Sequence, residues 1–127
     1  MAIRTELSLR LPNSPGALAG VCRLLSDERV GIIAMALDGS GQLRLVVDNH
    51  VLAAGMLRER HHQVAARDVL LLRVSNWAGA LAPIVRLVAD AGINVEYAYG
   101  AASEDSAGAV VVLGVDDALR AAAAAGV

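Results

Sequence analysis

Two short stretches hold the residue types best suited to binding chemistry. Residues 11–18 run LPNSPGAL, and residues 74–81 run VSNWAGAL. Each sets an Asn, two variable residues and then Gly-Ala-Leu: Asn13, Ser14, Pro15, Gly16, Ala17 and Leu18, then Asn76, Trp77, Ala78, Gly79, Ala80 and Leu81. An Asn side chain both donates and accepts, which suits a zwitterion with an ammonium and a carboxylate. If Gly-Ala-Leu opens a helix, the unpaired N–H groups of its first turn and the helix dipole favour an anion there. Gly16 and Gly79 would let a ligand approach the backbone closely. Pro15 suits a first-turn position, where a missing N–H costs little. Trp77, the one Trp of the chain, can lid an apolar ligand group or pack on a neighbouring surface. The same residues also serve structure alone, with Asn as helix cap and Gly for tight packing.

Other chemistry is poorly supported. His50 and the His61-His62 pair might suggest metal, but adjacent residues of an extended segment point to opposite faces, and no paired acids or cysteines complete a site. Cys22 falls on the apolar side of a helical pattern, where a buried core thiol is expected. Glu104-Asp105 and Asp116-Asp117 suit loop and cap positions. No Ser stands in a pattern that supplies a general base, so nucleophilic catalysis has no candidate. No catalytic residue, metal ligand or cofactor loop is assigned, and an enzyme is not expected.

Composition narrows the partners. The net charge is −2 and the pI near 5.8, whereas a nucleic-acid binder usually shows a basic face. With one cysteine, no disulfide framework forms within the chain. Charges thread the N-terminus, unlike a signal peptide, and no charge-free apolar run reaches the roughly 18–20 residues of a membrane span. A cytoplasmic protein without nucleic-acid or membrane partners is expected. Apolar residues make up 56% of the chain, with no Phe, so the core must be aliphatic.

The two Asn motifs belong to a longer repeat. When Arg4 is laid on Arg67, Leu7, Leu9 and Arg10 fall on Leu70, Leu72 and Arg73. Asn13, Gly16, Ala17, Leu18 and Ala19 fall on Asn76, Gly79, Ala80, Leu81 and Ala82, and Arg23, Leu24 and Asp27 on Arg86, Leu87 and Asp90. A repeat of this length is a structural unit. In the first copy Ile3, Thr5, Leu7, Leu9 and Leu11 alternate with polar residues, as a half-buried strand does. Leu18, Val21, Cys22 and Leu25 then recur at helical spacing, as do Leu81, Ile84, Val85 and Val88. Pro83 would break a helix begun at Trp77, so that helix is expected to start near Gly79 or Ala80. Strands follow at Ile32 to Leu37 and Ile93 to Tyr99. After the turn at Asp38-Gly-Ser-Gly41 comes Leu43 to Val47, and after a longer link Val110 to Leu113. Second helices are predicted over about residues 49–60 and 116–125, with Asp48 or Asn49, and Asp116, as N-caps. Gln63 to Arg67 can form a fourth strand.

The order strand-helix-strand-strand-helix-strand predicts an α+β protein of two tandem ferredoxin-like βαββαβ units, over 1–67 and 68–127. Each has an antiparallel sheet with helices on one face. The last strand of the first unit must run almost directly into the first strand of the second. The second unit lacks a last strand of its own, so its sheet edge is expected to stay open, be capped, or pair with another chain.

LPNSPGALAGVCRLLSDERVGIIAM and VSNWAGALAPIVRLVADAGINVEYAY resemble the ACT domain, a small regulatory module that binds amino acids. The shared pattern is a strand, an Asn-x-Pro-Gly type of turn, an amphipathic helix, and Gly-Ile-Asn leading into a strand. The resemblance covers nearly the whole chain and is similar to small stand-alone tandem ACT proteins. It implies a non-catalytic site for a small amino acid between paired domains, near the loops from strand one to helix one. On that resemblance the ligand-binding positions are Asn13 to Leu18 and Ile32 in the first copy, and Asn76 to Leu81 and Asn94 in the second. Gly31 stands where the second copy has Asn94, and Ala78 where the first has Pro15. The second copy, which keeps both Asn residues, is the better candidate for a working site. A homodimer is expected because two small units share a truncated sheet. A structural or oligomerisation module that has lost ligand binding is the alternative, and Gly31 and Ala78 favour it.

Overall fold

The computed structural model describes residues 2–75, 79–104 and 108–127. Ten elements run in chain order: β1 (Ile3–Arg10), α1 (Ala17–Asp27), β2 (Ile32–Leu37), β3 (Gln42–Val47), α2 (His50–Glu59), β4 (Ala65–Ser75), α3 (Ala82–Asp90), β5 (Val95–Ala102), β6 (Gly108–Val115) and α4 (Ala118–Ala125). They form two compact units. The N-terminal unit is Thr5–Arg67; the C-terminal unit is Asp68–Val127 together with the residues up to Arg4.

In the N-terminal unit β3 lies between β2 and β1, antiparallel to both. Alternation sends Leu7, Leu9, Leu11, Leu43, Leu45 and Val47 to one face, where α1 and α2 cover them with Val21, Leu25, Ala53 and Leu57. Glu6 points to the opposite face. It is nonetheless 1% exposed, with Arg44 Nε 3.9 Å from its Oε1. Burying a carboxylate is costly unless it is paired, and Arg44 from the adjacent strand supplies the charge.

In the C-terminal unit β6 lies between β4 and β5, again antiparallel to both. Leu70, Leu72, Leu113 and Val115 meet Val88 of α3 and Ala118, Ala121 and Ala122 of α4. The α4 contribution is nearly all alanine. Tyr97 and Tyr99 stack with ring centroids 6.3 Å apart. Tyr97 lies over Gly114, where a Cβ would run into its ring.

The edge expected to lack a strand is closed by the chain itself. The Ala2 carbonyl accepts from Leu71 N–H at 2.7 Å, and Ala2 and Ile3 pack on the C-terminal core. The opening of β1 thus lies beside β4, a solution that repeat alignment does not show because it crosses the repeat boundary. The predicted fourth strand of the first copy and first strand of the second are one element, β4, eleven residues long.

Two helix starts differ from expectation. Pro15 lies outside α1, whose N-cap is Gly16 at φ 86° with no side-chain cap, so Asn13 is not the cap either. The left-handed Gly16 turns the chain into the helix only after Pro15. α3 begins at Ala82, later than Gly79 or Ala80, with Leu81 as N-cap. Pro83 is then the second helical residue, where no intrahelical N–H bond is lost. The α2 cap is Asn49, which accepts from Leu52 N–H, and the α4 cap is Asp117 rather than Asp116, accepting from Arg120 N–H.

Candidate functional site

The first Asn motif forms one wall of a cleft of about 210 Å³ in the N-terminal unit. β1 ends at Arg10, and Leu11 N–H donates to the Gly41 carbonyl at 2.7 Å. This bond draws the β1–α1 loop against the β2–β3 turn. Gly41 sits at φ 89°, and a Cβ there would approach the Leu11 carbonyl oxygen to 2.5 Å. Glycine is therefore needed both for the conformation and for the close approach. Asn13, Ser14, Gly16, Ala17 and Leu18 line the loop side, and Leu37, Asp38, Gly39 and Gly41 the turn side.

The loop is held from within. Ser14 N–H donates to the Pro12 carbonyl at 2.9 Å, and Ala17 N–H to the Ser14 carbonyl at 3.3 Å. The first-turn N–H groups of Leu18 and Ala19 find no acceptor among the described residues, as at any helix start without a side-chain cap. Opposite them, Asp38 Oδ1 accepts from Ser40 N–H at 2.9 Å, from Gln42 N–H at 3.1 Å and from the Ser40 hydroxyl. The Ser40 hydroxyl, then the Gln42 amide, hold the Asp38 carboxyl below its ordinary value. The cleft is therefore lined by an uncapped helix start on one side and by a carboxylate-bearing turn on the other.

Of the sequence candidates in the first copy, five meet in this cleft. Pro15 is exposed and does not line it. Ile32, 39% exposed, opens β2 away from the cleft wall. Its neighbour Gly31 stands where the second copy has Asn94. Gly31 N–H donates to Asp48 Oδ1 at 3.0 Å, and a Cβ at Gly31 would come within 2.7 Å of Asp48 Oδ2, so a side chain there would shift the Asp48 carboxylate. Sequence reasoning missed the turn side of the cleft. Asp38-Gly-Ser-Gly41 signalled a turn, but its packing on the Asn loop is a long-range contact without a local signal.

In the second copy Asn76, Trp77 and Ala78 lie outside the described residues. Gly79 repeats the left-handed conformation of Gly16, at φ 85°. Ala80 is half-buried, Leu81 packs on the C-terminal core, and Asn94 is exposed just before β5. The second copy is the better candidate by sequence, and with its Asn loop outside the described residues, the cleft described above bears on the first copy alone. His50 opens α2, and His61 and His62 follow its end. Among the described residues no group of three His, Cys, Asp or Glu side chains is arranged to hold a metal ion. Cys22 is half-buried rather than fully enclosed. No helix among the described residues is long and apolar enough to cross a membrane.

Solved structures share this architecture. A Bacteroides thetaiotaomicron protein superposes with a TM-score of 0.87 at 26% identity, over 97% of this chain and 86% of that one. The ligand-free regulatory subunit of aspartate kinase from Thermus thermophilus gives a TM-score of 0.70 at 20% identity, over 99% and 91%. Aspartokinase III of E. coli, in complex with lysine and aspartate, gives 0.58 at 19% identity, over 88% of this chain but 27% of the enzyme. No curated protein sequence matches the chain. The family model for the ACT domain pair matches residues 1–124, and with two βαββ-type repeats folded as two units, the chain belongs to the ACT domain pair family.

Proposed function

We propose that the chain is a non-catalytic regulatory module that binds a small amino acid. The observation that carries this reading is the cleft itself, which the uncapped start of α1, the Asn13 loop and Asp38 line together. Such a pair of walls matches the carboxylate and ammonium of a zwitterion. The solved aspartate kinase regulatory subunits, and the aspartokinase III structure holding lysine and aspartate, support a regulatory role by fold.

Output would pass through association with a second copy. β2 is an edge strand of the N-terminal unit, carries no charged residue over Ile32–Leu37, and exposes Ile32, Met35 and Leu37. An uncharged apolar edge of this kind invites pairing, because natural edges are usually guarded by charge or proline. Facing loops of two copies would complete the ligand site, with ligand favouring the associated state.

Calorimetric titration with each common amino acid, followed by light scattering with and without ligand, tests the reading. We expect saturable heat with one amino acid or a chemically related few. Asn13→Ala should weaken binding about fivefold or more, the cost of one or more hydrogen bonds to charged groups. Asn76→Ala in parallel tells which copy binds. A folded sample that gives no heat with any amino acid would leave the oligomerisation role in its place.

A further inference from the structure

A second, larger cleft in the N-terminal unit stands apart from the Asn loop. It is an open space of about 660 Å³ between the end of β1, the start of β3 and the turn that leaves α2. Ser8 and Arg10 of β1, Gln42 of β3, and His61, His62 and Gln63 of the turn are among the residues that line it. The lining has no carboxylate. The nearest acid on β1, Glu6, is already paired with Arg44.

The donors are largely unspent. Arg10 uses Nη1 on the Ser40 carbonyl at 2.6 Å, leaving the rest of its guanidinium fork without a partner among the described residues. The side chains of Ser8, Gln42, His61, His62 and Gln63 likewise make no hydrogen bond among the described residues. Each of these groups can donate, and each imidazole carries at least one N–H in any protonation state.

The turn is fixed rather than loose. His61 N–H donates to the Arg58 carbonyl at 3.0 Å and His62 N–H to the Leu57 carbonyl at 3.1 Å. Arg58 reaches across with Nη2 to the Val64 carbonyl at 3.1 Å. His61 is at φ 69°, the left-handed conformation that commonly ends a helix, as Arg29 does at φ 59° after α1.

From this geometry we infer that the cleft binds a small, multiply charged oxyanion of the phosphate or polycarboxylate class, with Arg10 as its main anchor. A guanidinium fork binds two oxygens of such a group in parallel, and the amides and imidazoles can take the remaining lone pairs. The size suits a ligand larger than a halide. The two clefts share no lining residue, so failure of one is distinguishable from failure of the other.

The test is calorimetric titration of the full chain with inorganic phosphate and, separately, citrate, at constant ionic strength. Amide shifts are followed in parallel by two-dimensional NMR. We expect saturable binding of at least one anion, with the largest shifts over residues 61–65. Arg10→Gln should weaken it about tenfold or more. Arg23→Gln, an equal change of charge on exposed α1, should leave it within about twofold. If Arg10→Gln folds poorly, His62→Gln is expected to weaken binding about threefold. The inference is overturned if neither anion binds saturably, if Arg10→Gln and Arg23→Gln bind alike, or if the shifts gather at residues 13–19 instead.

Discussion

Asp38 shows how one side chain can hold one wall of a cleft in place. It stands at the surface, yet its Oδ1 collects three donors from Ser40 and Gln42 and so fixes the β2–β3 turn. These bonds, the Ser40 hydroxyl first, lower its folded pKa below the ordinary 3.8. A lowered folded value gives stability that is complete above the unfolded pKa and is lost as pH falls through the folded one. Asp38→Asn keeps an acceptor oxygen but removes the charge. The variant should therefore melt below the parent at pH 7, and the gap should close on acidification below about pH 4. Thermal melts across that range check this. At the same scale, residue type and spacing single out the loop that carries Asn13 and Ser14, which lines the cleft, but not that Pro15 stands outside it. They could not give Asp38 a role in the cleft, because the Leu11–Gly41 bond that joins loop to turn has no local signature. Nor could they announce the Gly31–Asp48 bond, which joins two residues seventeen apart in sequence.

Elements were legible where short-range chemistry decides them. β2 follows the predicted apolar run residue for residue, and α2 starts after the predicted Asn49 cap. Asp116 is the cap the sequence points to for α4, one residue too early, because the backbone geometry at Asp117 lets its carboxylate accept from Arg120 N–H. Replacing either working cap by alanine should cost about 1 kcal/mol, read as a lowered urea midpoint at unchanged slope. Asp116→Ala, one residue away, should cost far less, since it caps nothing among the described residues. The α3 start was harder to place. Pro83 excludes only a helix that has already made its N–H bond, so it sets an upper limit on how early α3 begins rather than the residue at which it does.

At the scale of the whole molecule, the second copy borrows what it lacks. Residues 2–4 take the position of a fourth strand beside β4, with the Ala2–Leu71 bond and Ile3 on the core. A chain beginning at Thr5 should lose about 1–3 kcal/mol from the C-terminal unit, the value of the buried apolar surface of those residues. Hydrogen exchange should locate the damage. Leu71 N–H is expected to lose protection first, while Leu43 and Leu45 amides in the N-terminal unit keep theirs. Alternation within each strand announced which residues face the helices, but no periodicity could say that the opening of β1 serves the other repeat. That same borrowing has a kinetic side. The N-terminal unit is continuous in sequence and can form from contacts within Thr5–Arg67 alone. The C-terminal unit is discontinuous, and its Ala2–Leu71 pairing must close a loop of roughly 70 residues before it repays the lost chain entropy. The unit later in sequence is therefore the slower to complete, and its folding rate rather than its final stability should respond most to the order in which the two units form.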